Sequence, residues 1–210
     1  NFNDLISRLI ILNNFDQEEI YSINNDLDYS NPFKNNQDFS NAIKLLDQSI
    51  INNDKIAIIG DYDVDGCIST SLFVKLLKDL NIPHFYHIPN RYTEGYGANL
   101  KLIKKILNKK PKLIIMLDNG SSAHEAVNYL NKNKIKSIII DHHEIYKPYP
   151  KADCIINPKK ECDYNKYSYL CTAVLTFFLI EIYLKKKLFK INFSKNLYLV
   201  LMAIVSDVMP

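Results

Sequence analysis

Three aspartates occupy alternate positions in one short loop, Gly60–Gly66, whose sequence is GDYDVDG. Like charges this close together repel one another, so folding them into one loop is costly unless cations neutralise them. Carboxylate oxygens are the ligands that hard divalent ions prefer. Asp61, Asp63 and Asp65 therefore predict a metal site.

The same loop matches the opening of a calcium-binding EF-hand, in which carboxylates at alternate positions precede a glycine. An EF-hand loop also requires a glutamate at its last ligand position, which is Leu72 here, and a helix before the loop. The preceding residues, Lys55–Ile59, instead form an apolar run typical of a buried strand. Both differences exclude the EF-hand.

Two further strand-like runs also end in potential metal ligands. Asp118 follows one run, and the triplet Asp141–His143, with the sequence DHH, follows another. In an open parallel sheet, ligands bind beyond the carboxyl ends of the strands, where such loops meet. Helix capping would explain one acidic strand end, but it does not explain three in one sheet together with two adjacent histidines.

The types of these side chains indicate which metals and which reaction are expected. Mixed aspartate and histidine ligands without a thiolate favour Mn²⁺ or Mg²⁺ over zinc. Two such ions roughly 3.5–4 Å apart can activate a water molecule and stabilise both oxygens of an in-line phosphoryl displacement. The pattern therefore predicts metal-dependent phosphoester hydrolysis.

The elements that must position these loops alternate between strands and helices from residue 55 onward. The predicted strands are 55–59, 84–88, 112–117 and 137–140, with a short fifth strand near 154–156. Helical segments separate these short apolar strands, which is typical of a parallel sheet covered on both faces. The predicted fold class is α/β, a mostly parallel sheet of about five strands with helices on both faces.

The chain is predicted to divide into two parts. Residues 1–51 form a helical N-terminal segment packed on the following domain, because Leu5, Leu9 and Leu12 recur at helical spacing. Residues 52–210 form the domain that carries the strand-end loops.

Composition narrows the class of protein without deciding its activity. A formal net charge of +3 is too small to indicate a nucleic-acid partner, and four cysteines without paired spacing predict reduced thiols. The longest apolar run, 197–205, is far shorter than the roughly 20 residues of a membrane helix. No basic leader precedes an apolar stretch at the start. We expect a soluble, cytoplasmic chain that makes no contact with membranes and is trimmed at one or both ends.

Four ordered motifs resemble those of the DHH phosphoesterase superfamily. They are Asp61–Gly66, Asp118–Gly120, Asp141–His143 and Ser206–Asp207. Other stretches resemble, more narrowly, the bacterial RecJ single-stranded-DNA exonucleases: NPF at 31–33, IPNRYTEGYG at 88–97, INPK at 156–159 and VSDVMP at 205–210. The resemblance extends from about residue 30 to residue 210, so that 52–210 would be a DHH catalytic domain without a second domain.

The resemblance implies a role for each matching position. A centre of two Mn²⁺ or Mg²⁺ ions would be held by Asp63, Asp65, Asp118, His142 and Asp207. Asp118 would bridge the ions, and His143 would be a catalytic residue that binds and polarises the scissile phosphate. Asp61 is either a further ligand or an orienting residue of the catalytic set. Asp141 would support the histidines through hydrogen bonds.

Arg91 is one of only two arginines and lies in a glycine-containing loop at the same edge of the sheet. We expect it to bind the substrate by contacting a phosphate; a solvated loop cation is the alternative. Tyr92 and Tyr96 in this loop could stack on bases, or they could have an ordinary packing role.

The activity implied by the resemblance is metal-dependent hydrolysis of single-stranded DNA, an exodeoxyribonuclease acting 5′ to 3′ in DNA repair or recombination. Single-stranded DNA would be the main partner, with helicases or single-strand-binding proteins as further partners of a monomeric chain. One alternative is a DHH hydrolase of short oligonucleotides, nucleotide phosphates or cyclic dinucleotides. Another is a non-catalytic nucleic-acid-binding relative, which would be expected to have lost ligands, whereas here the set is complete.

The sequence departs from the RecJ-like pattern in two helical stretches. Cys171–Val174 and Leu201–Ile204 lack glycines that RecJ-like chains usually carry. Bulkier residues there are expected to crowd close helix packing and to lower stability.

Overall fold

The computed structural model describes residues 3–24 and 31–209. The chain divides into two compact units, Asn1–Pro32 and Phe33–Pro210. Pro210, the last residue of the VSDVMP stretch, lies outside the described residues. Among the described residues, no helix is both long enough and apolar enough to cross a membrane.

The smaller unit contains two helices, α1 (Asp4–Leu12) and α2 (Gln17–Asn24). The side chain of Asn3 begins α1 by accepting a hydrogen bond of 2.9 Å from the Ile6 backbone N–H. Such a cap provides a partner for one of the N–H groups that the first turn of a helix leaves free.

The larger unit is an α/β fold. Its elements are α3 (Gln37–Ile51), β1 (Ile56–Ile59), α4 (Val64–Asp79), β2 (His84–His87), α5 (Leu100–Leu107), β3 (Leu113–Leu117), α6 (His124–Lys132), β4 (Lys136–Ile140), β5 (Cys154–Ile156), α7 (Thr172–Lys186) and α8 (Leu197–Ser206). The five strands are all parallel and have the order β2-β1-β3-β4-β5. The predicted fold class is confirmed, and α3, which the sequence assigned to the N-terminal segment, lies in this unit.

The sheet is buried on both faces because its central strands are apolar at every position. All residues of β1 and β3 are buried. On one face, alternate strand residues such as Ile59 and Met116 pack against Ile103 of α5 and Val127 of α6. The other face is covered by α3, α4 and α7, which contact β5, β1 and β4 respectively. Continuous apolar strands of this kind are typical of parallel sheets with helices on both sides.

The order of the strands brings three loops to one edge. β1 lies between β2 and β3, so β2 is added on one side of β1 and the later strands are added on the other side. Leu117 is paired with Ile140, and the backbone N–H of Asp118 donates to the Ile140 carbonyl at 2.9 Å. The loops after β1, β3 and β4 therefore meet at the carboxyl edge, where open α/β sheets bind their ligands.

Candidate metal centre

Carboxylates and imidazoles from four segments converge at the carboxyl edge of the sheet. The described residues form three groups that could hold a metal ion, each with its ligand atoms within 4.8 Å of one another. The groups are Asp61 with Asp63 and Asp118; Asp118 with His142 and His143; and Asp65 with His142 and Asp207. Because Asp118 and His142 each belong to two groups, the three groups form one continuous centre.

Asp118 lies at the middle of this centre in an unusual backbone conformation. Its φ angle is +62°, and the residue is fully buried. The next side chain, Asn119, donates to the carbonyls of Ile59 at 3.2 Å and Leu117 at 2.8 Å. Asn119 therefore ties the ends of β1 and β3 together and holds the turn that presents Asp118. Asparagine and aspartate tolerate the left-handed region better than most residues.

The environment of Asp118 is unfavourable for a charged carboxylate when no cation is bound. Burial, and then the nearby carboxylates of Asp65, Asp63 and Asp141, raise the pKa of Asp118 to about 11. Its Oδ1 atom lies 3.4 Å from Nε2 of His142. Its Oδ2 atom is buried and has no hydrogen-bond partner in the described part of the chain. A divalent ion would neutralise these charges and give the free oxygen a partner.

His142 is surrounded by carboxylates from three elements. Its Nε2 atom lies 3.4 Å from Oδ2 of Asp207, at the end of α8, and 3.8 Å from Oδ2 of Asp65. Within the described ranges, Nδ1 of His142 and Oδ2 of Asp207 are buried without a hydrogen-bond partner. Oxygen and nitrogen donors without a thiolate match the preferences of Mn²⁺ and Mg²⁺. The acidic and histidine groups are thus positioned to hold divalent metal ions.

The first two aspartates of the loop, Asp61 and Asp63, accept hydrogen bonds from backbone N–H groups at or just before the start of α4. Asp63 is the N-cap of α4 and accepts from the Gly66 N–H at 2.9 Å. Asp61 is buried and accepts from the Tyr62 N–H at 2.7 Å. Gly66 is required here, because a Cβ atom at this position would lie 2.6 Å from the Cβ of Asp61. Asp61 belongs to the same group as Asp63. Its role, as either a metal ligand or an orienting residue, stays a prediction.

Asp65 is positioned by α7, a helix that the sequence analysis did not connect with the site. Its two carboxylate oxygens accept from the backbone N–H groups of Thr172 and Ala173, each at 2.8 Å. Within the described chain, the N-cap residue Cys171 makes no side-chain capping bond, so Asp65 takes over this role. The absence of a usual N-cap residue before Thr172 was the one sequence signal for this contact.

Asp141 holds the two histidines rather than joining the groups. Its Oδ1 atom accepts from the backbone N–H of His142 at 2.8 Å and from Nδ1 of His143 at 2.8 Å. Its Oδ2 atom accepts from the Ser121 N–H at 2.9 Å. Burial alone would raise the pKa of Asp141. Hydrogen bonds from His143 and Ser121, together with the charge of His143, lower this pKa to about 2. The pKa of His143 is raised, chiefly by this hydrogen bond.

His143 lies at the open side of the centre. Its side chain is 45% exposed, whereas that of His142 is only 10% exposed. The hydroxyl of Tyr96 lies 3.5 Å from Nε2 of His143. With Nδ1 held by Asp141, the ring presents Nε2 toward Tyr96 and solvent. This nitrogen is therefore accessible to a bound molecule.

Asn157 of the INPK stretch is a second residue whose contact the sequence did not predict. Its side-chain N–H₂ donates to Oγ of Ser121 at 2.8 Å and to the backbone carbonyl of His143 at 2.9 Å. Asn157 is fully buried. It therefore ties the loop after β4 to the loop after β3, and it belongs to the support of the centre.

Arg91 lies outside the three groups but is linked to the first loop. Its guanidinium donates a hydrogen bond to the hydroxyl of Tyr62 and lies 5.5 Å from the centre of that ring. Glu94 holds the Arg91 loop by accepting from the Asn90 N–H at 3.2 Å and from Lys105 Nζ at 2.7 Å. Hydrogen bonds to Glu94, chiefly the one from Lys105, lower the pKa of Glu94 to about 2. Tyr92, in contrast, is 96% exposed.

Comparison with known proteins gives consistent matches to this part of the chain. The family model "DHH family, N-terminal domain" matches residues 55–204. The chain is 31% identical over 178 residues to the "Single-stranded-DNA-specific exonuclease RecJ" of Haemophilus influenzae, and 31% identical over 180 residues to that of Escherichia coli. Each match covers 80% of this chain and 31% of the relative. The chain therefore spans about a third of the length of these relatives.

A solved structure shares the fold. The match to "Crystal structure of exonuclease RecJ bound to manganese" has a TM-score of 0.75 at 25% sequence identity. It covers 83% of this chain and 44% of that chain.

Proposed function

The chain belongs to the DHH family, and from this premise we propose that it is a metal-dependent exodeoxyribonuclease that hydrolyses single-stranded DNA from the 5′ end. The observation that carries the proposal is the continuous centre in which Asp118 and His142 are each shared by two metal-binding groups. The similarity to proteins named as single-stranded-DNA-specific exonucleases supports the choice of substrate.

The proposed centre holds two Mn²⁺ or Mg²⁺ ions. Its ligands would be Asp63, Asp65, Asp118, His142 and Asp207, and Asp118, whose carboxylate has two oxygens and which belongs to two groups, would be shared by the ions. When bound, such ions supply charge neutralisation at the transferred phosphoryl group and a water of lowered pKa. The residues around them position the substrate, and Asp61 takes part as a ligand or orienting residue.

His143 is proposed as the catalytic residue that contacts the scissile phosphate. Asp141 holds Nδ1 at 2.8 Å and so fixes the plane of the ring. Nε2 is left to donate a hydrogen bond to a non-bridging oxygen of the scissile phosphate, which polarises the phosphorus toward attack by water. Asn157 holds the backbone of the same residue through its carbonyl. Asp141 and Asn157 thus act through His143 and do not need to touch the substrate.

Arg91 is proposed to bind a phosphate of the strand next to the one that is cleaved. Tyr62 holds the guanidinium and lies between Asp61 and Asp63 in sequence, so Arg91 is anchored to the first loop of the centre. A guanidinium can bind a phosphate through two parallel hydrogen bonds. Substrate contact at this position would orient the strand relative to His143.

The wider role is proposed from the family resemblance alone. It comprises action in DNA repair or recombination in the cytoplasm, a monomeric chain, and helicases or single-strand-binding proteins as partners. In domain terms, 52–210 would be the catalytic domain, together with α3, which lies in the same unit.

One assay tests the central proposal. Single- and double-stranded DNA labelled at the 5′ or the 3′ end is incubated with the chain in Mn²⁺ or in chelator, and released nucleotides are measured. We expect release from single strands, beginning at the 5′ end, only with metal. Asp65→Ala and His142→Ala should each reduce this release by more than about 100-fold, since even residues that only support metal ligands commonly cost 10–100-fold.

His124→Ala is the matched control, because His124 is exposed and belongs to none of the described metal-binding groups. It should retain wild-type release. Wild-type activity in His142→Ala would remove that residue from the centre. A preference for short oligonucleotides over long strands would favour the other DHH hydrolases, and strand binding without cleavage or Mn²⁺ binding would favour a non-catalytic relative.

A further inference from the structure

The first residue of α7 contacts two of the proposed metal ligands at once. The Thr172 backbone N–H donates to Oδ2 of Asp65 at 2.8 Å, and its hydroxyl contacts Oδ1 of Asp118 at 3.2 Å. Thr172 is fully buried. The hydroxyl is the donor in the second contact. This direction also suits a metal-bound Asp118, because an ionised carboxylate only accepts hydrogen bonds.

This contact differs from the usual behaviour of threonine at a helix start. Threonine hydroxyls near a helix N-terminus commonly bond to backbone groups of their own segment. Thr172 instead reaches a residue 54 positions earlier in the chain, on a different element. Thr176, one turn later on α7, shows the contrast: its buried hydroxyl has no hydrogen-bond partner among the described residues. The Thr172 contact is therefore a specific feature of the centre.

The two oxygens of Asp118 have different surroundings as a result. Oδ1 accepts from Thr172 and lies 3.4 Å from Nε2 of His142, while Oδ2 is buried without a hydrogen-bond partner in the described chain. The torsion that rotates a carboxylate about its Cβ–Cγ bond is broad and soft. A hydrogen bond to one oxygen fixes this rotation and determines the direction of the free oxygen.

We propose that Thr172 is a positioning residue for the metal centre, whose hydroxyl fixes the rotation of the Asp118 carboxylate so that this shared ligand can serve both of its neighbouring groups. The inference rests on the proposed function in one respect, that Asp118 binds metal. It adds a residue that does not touch metal or substrate. It also gives the N-terminus of α7 a role in orienting the metal ligands. Supporting partners of this kind orient ligands and commonly change metal affinity by 10–100-fold.

The test compares three variants of the full chain by calorimetric titration with Mn²⁺ and by the EPR signal of free Mn²⁺. Thr172→Val removes the hydroxyl and keeps the shape of the side chain, and Thr172→Ser keeps the hydroxyl. Thr176→Val is the matched control, because it removes a buried hydroxyl that has no hydrogen-bond partner in the described residues of the same helix. Thermal unfolding without Mn²⁺ is measured for each variant.

We expect Thr172→Val to weaken Mn²⁺ binding about 10- to 100-fold. Thr172→Ser and Thr176→Val should bind Mn²⁺ as the wild type does. Without Mn²⁺, Thr172→Val should stay folded, with a lower unfolding midpoint than Thr176→Val because it alone loses a hydrogen bond to a buried carboxyl. The weaker Mn²⁺ binding is then measured on folded protein.

Three results would overturn the inference. Thr172→Val could bind Mn²⁺ as tightly as Thr176→Val does, or Thr172→Ser could lose as much affinity as Thr172→Val. Alternatively, Thr172→Val and a second hydroxyl-free variant, Thr172→Ala, could both fail to fold without Mn²⁺ while Thr172→Ser folds, which would make the hydroxyl a requirement of the fold. Failure of the wild type to bind Mn²⁺ would instead contradict the proposed function.

Discussion

Two polar clusters in the larger unit partly or fully bury carboxylates, and the two clusters differ in how the negative charge is balanced. At the start of α3, Asp38 accepts hydrogen bonds from Tyr164 at 2.9 Å and from Lys160 at 2.7 Å. At the carboxyl edge of the sheet, Asp118 contacts His142, His143 and Thr172, and among the described residues no lysine or arginine forms an ion pair with it. The first cluster contains a lysine that pairs with its carboxylate, whereas in the described chain Asp118 has histidines but no lysine or arginine as ion-pair partners.

This difference separates a structural carboxylate from a proposed metal ligand. In the Asp38 cluster, Lys160 neutralises the charge, so folding alone completes the site. In the metal centre, Asp118 and Asp207 each retain a buried oxygen without a hydrogen-bond partner within the described residues. Buried polar groups without partners are costly unless something else binds them. The absence of a lysine or arginine partner from a buried carboxylate cluster is therefore a better indication of a metal site than the number of carboxylates in it.

The comparison is tested most severely by Asp118→Asn. Asparagine keeps the shape and tolerates the positive φ angle of this position, but it removes the charge. We expect the loss of detectable Mn²⁺ binding by calorimetry, and a rise in the unfolding midpoint without Mn²⁺ of about 2–4 °C for each kcal/mol that burial of this ionisable group costs the wild type. The wild type should be stabilised by Mn²⁺ and the variant should not. An unchanged response to Mn²⁺ would contradict the assignment of Asp118.

The opposite behaviour is expected from Tyr164→Phe in the Asp38 cluster. Tyr164 is buried, and its hydroxyl donates to Asp38 and accepts from the Asn157 N–H at 3.3 Å. Removing it should lower the free energy of unfolding by about 1–3 kcal/mol, because two polar groups lose a partner. The loss, measured by denaturant titration, should be the same with and without Mn²⁺.

Tyr198→Phe provides the reference for that measurement, since Tyr198 on α8 is 61% exposed. It should leave the free energy of unfolding near that of the wild type. A loss in Tyr164→Phe that appears only in the presence of Mn²⁺ would mean that the two clusters are not separate in function.

The smallest effect is expected from Glu94→Gln in the Arg91 loop. Glu94 resembles Asp38 because Lys105 compensates its charge at 2.7 Å, but the lysine side chain is 65% exposed. Exposed ion pairs contribute only about 0.2–1 kcal/mol, so KM for single-stranded DNA should rise by about 1.4- to 5-fold, with kcat and Mn²⁺ affinity unchanged. Glu125→Gln, at an exposed position on α6, is the control and should leave KM unchanged. A loss of Mn²⁺ affinity in Glu94→Gln would show that the loop supports the metal centre directly.

Local patterns in the sequence were sufficient to predict the elements that carry the loops. After their first residues, the runs 55–59, 112–117 and 137–140 are short and continuously apolar, and they form β1, β3 and β4 within a residue or two of the predicted bounds. The short strand near 154–156 is confirmed as β5. These predictions succeed because burial on both faces of a parallel sheet requires the same apolar run wherever the strand lies in the chain.

The partners of the ligands could not be predicted in the same way. Asp65 accepts from residues 107 and 108 positions later, and Asn157 holds the carbonyl of a residue 14 positions earlier. No periodicity or motif spacing specifies such hydrogen bonds, because they depend on where α7 and the loop after β5 pack against the sheet. The crowding of helix packing expected at Cys171–Val174 stays a prediction. The same stretch also contacts the candidate metal centre, because Thr172 and Ala173 donate hydrogen bonds to Asp65.

The sequence by itself determined the α/β class, the loops that end the strands and the chemical type of the ligands, because these follow from short apolar runs and from the charges beside them. The tertiary structure decided which oxygens remain free, which are held by α7 and which histidine reaches solvent. Those properties depend on distances of a few ångströms between elements that are far apart in the chain. The first loop therefore becomes part of a candidate metal centre only when Asp118, His142 and Asp207 pack beside its three carboxylates.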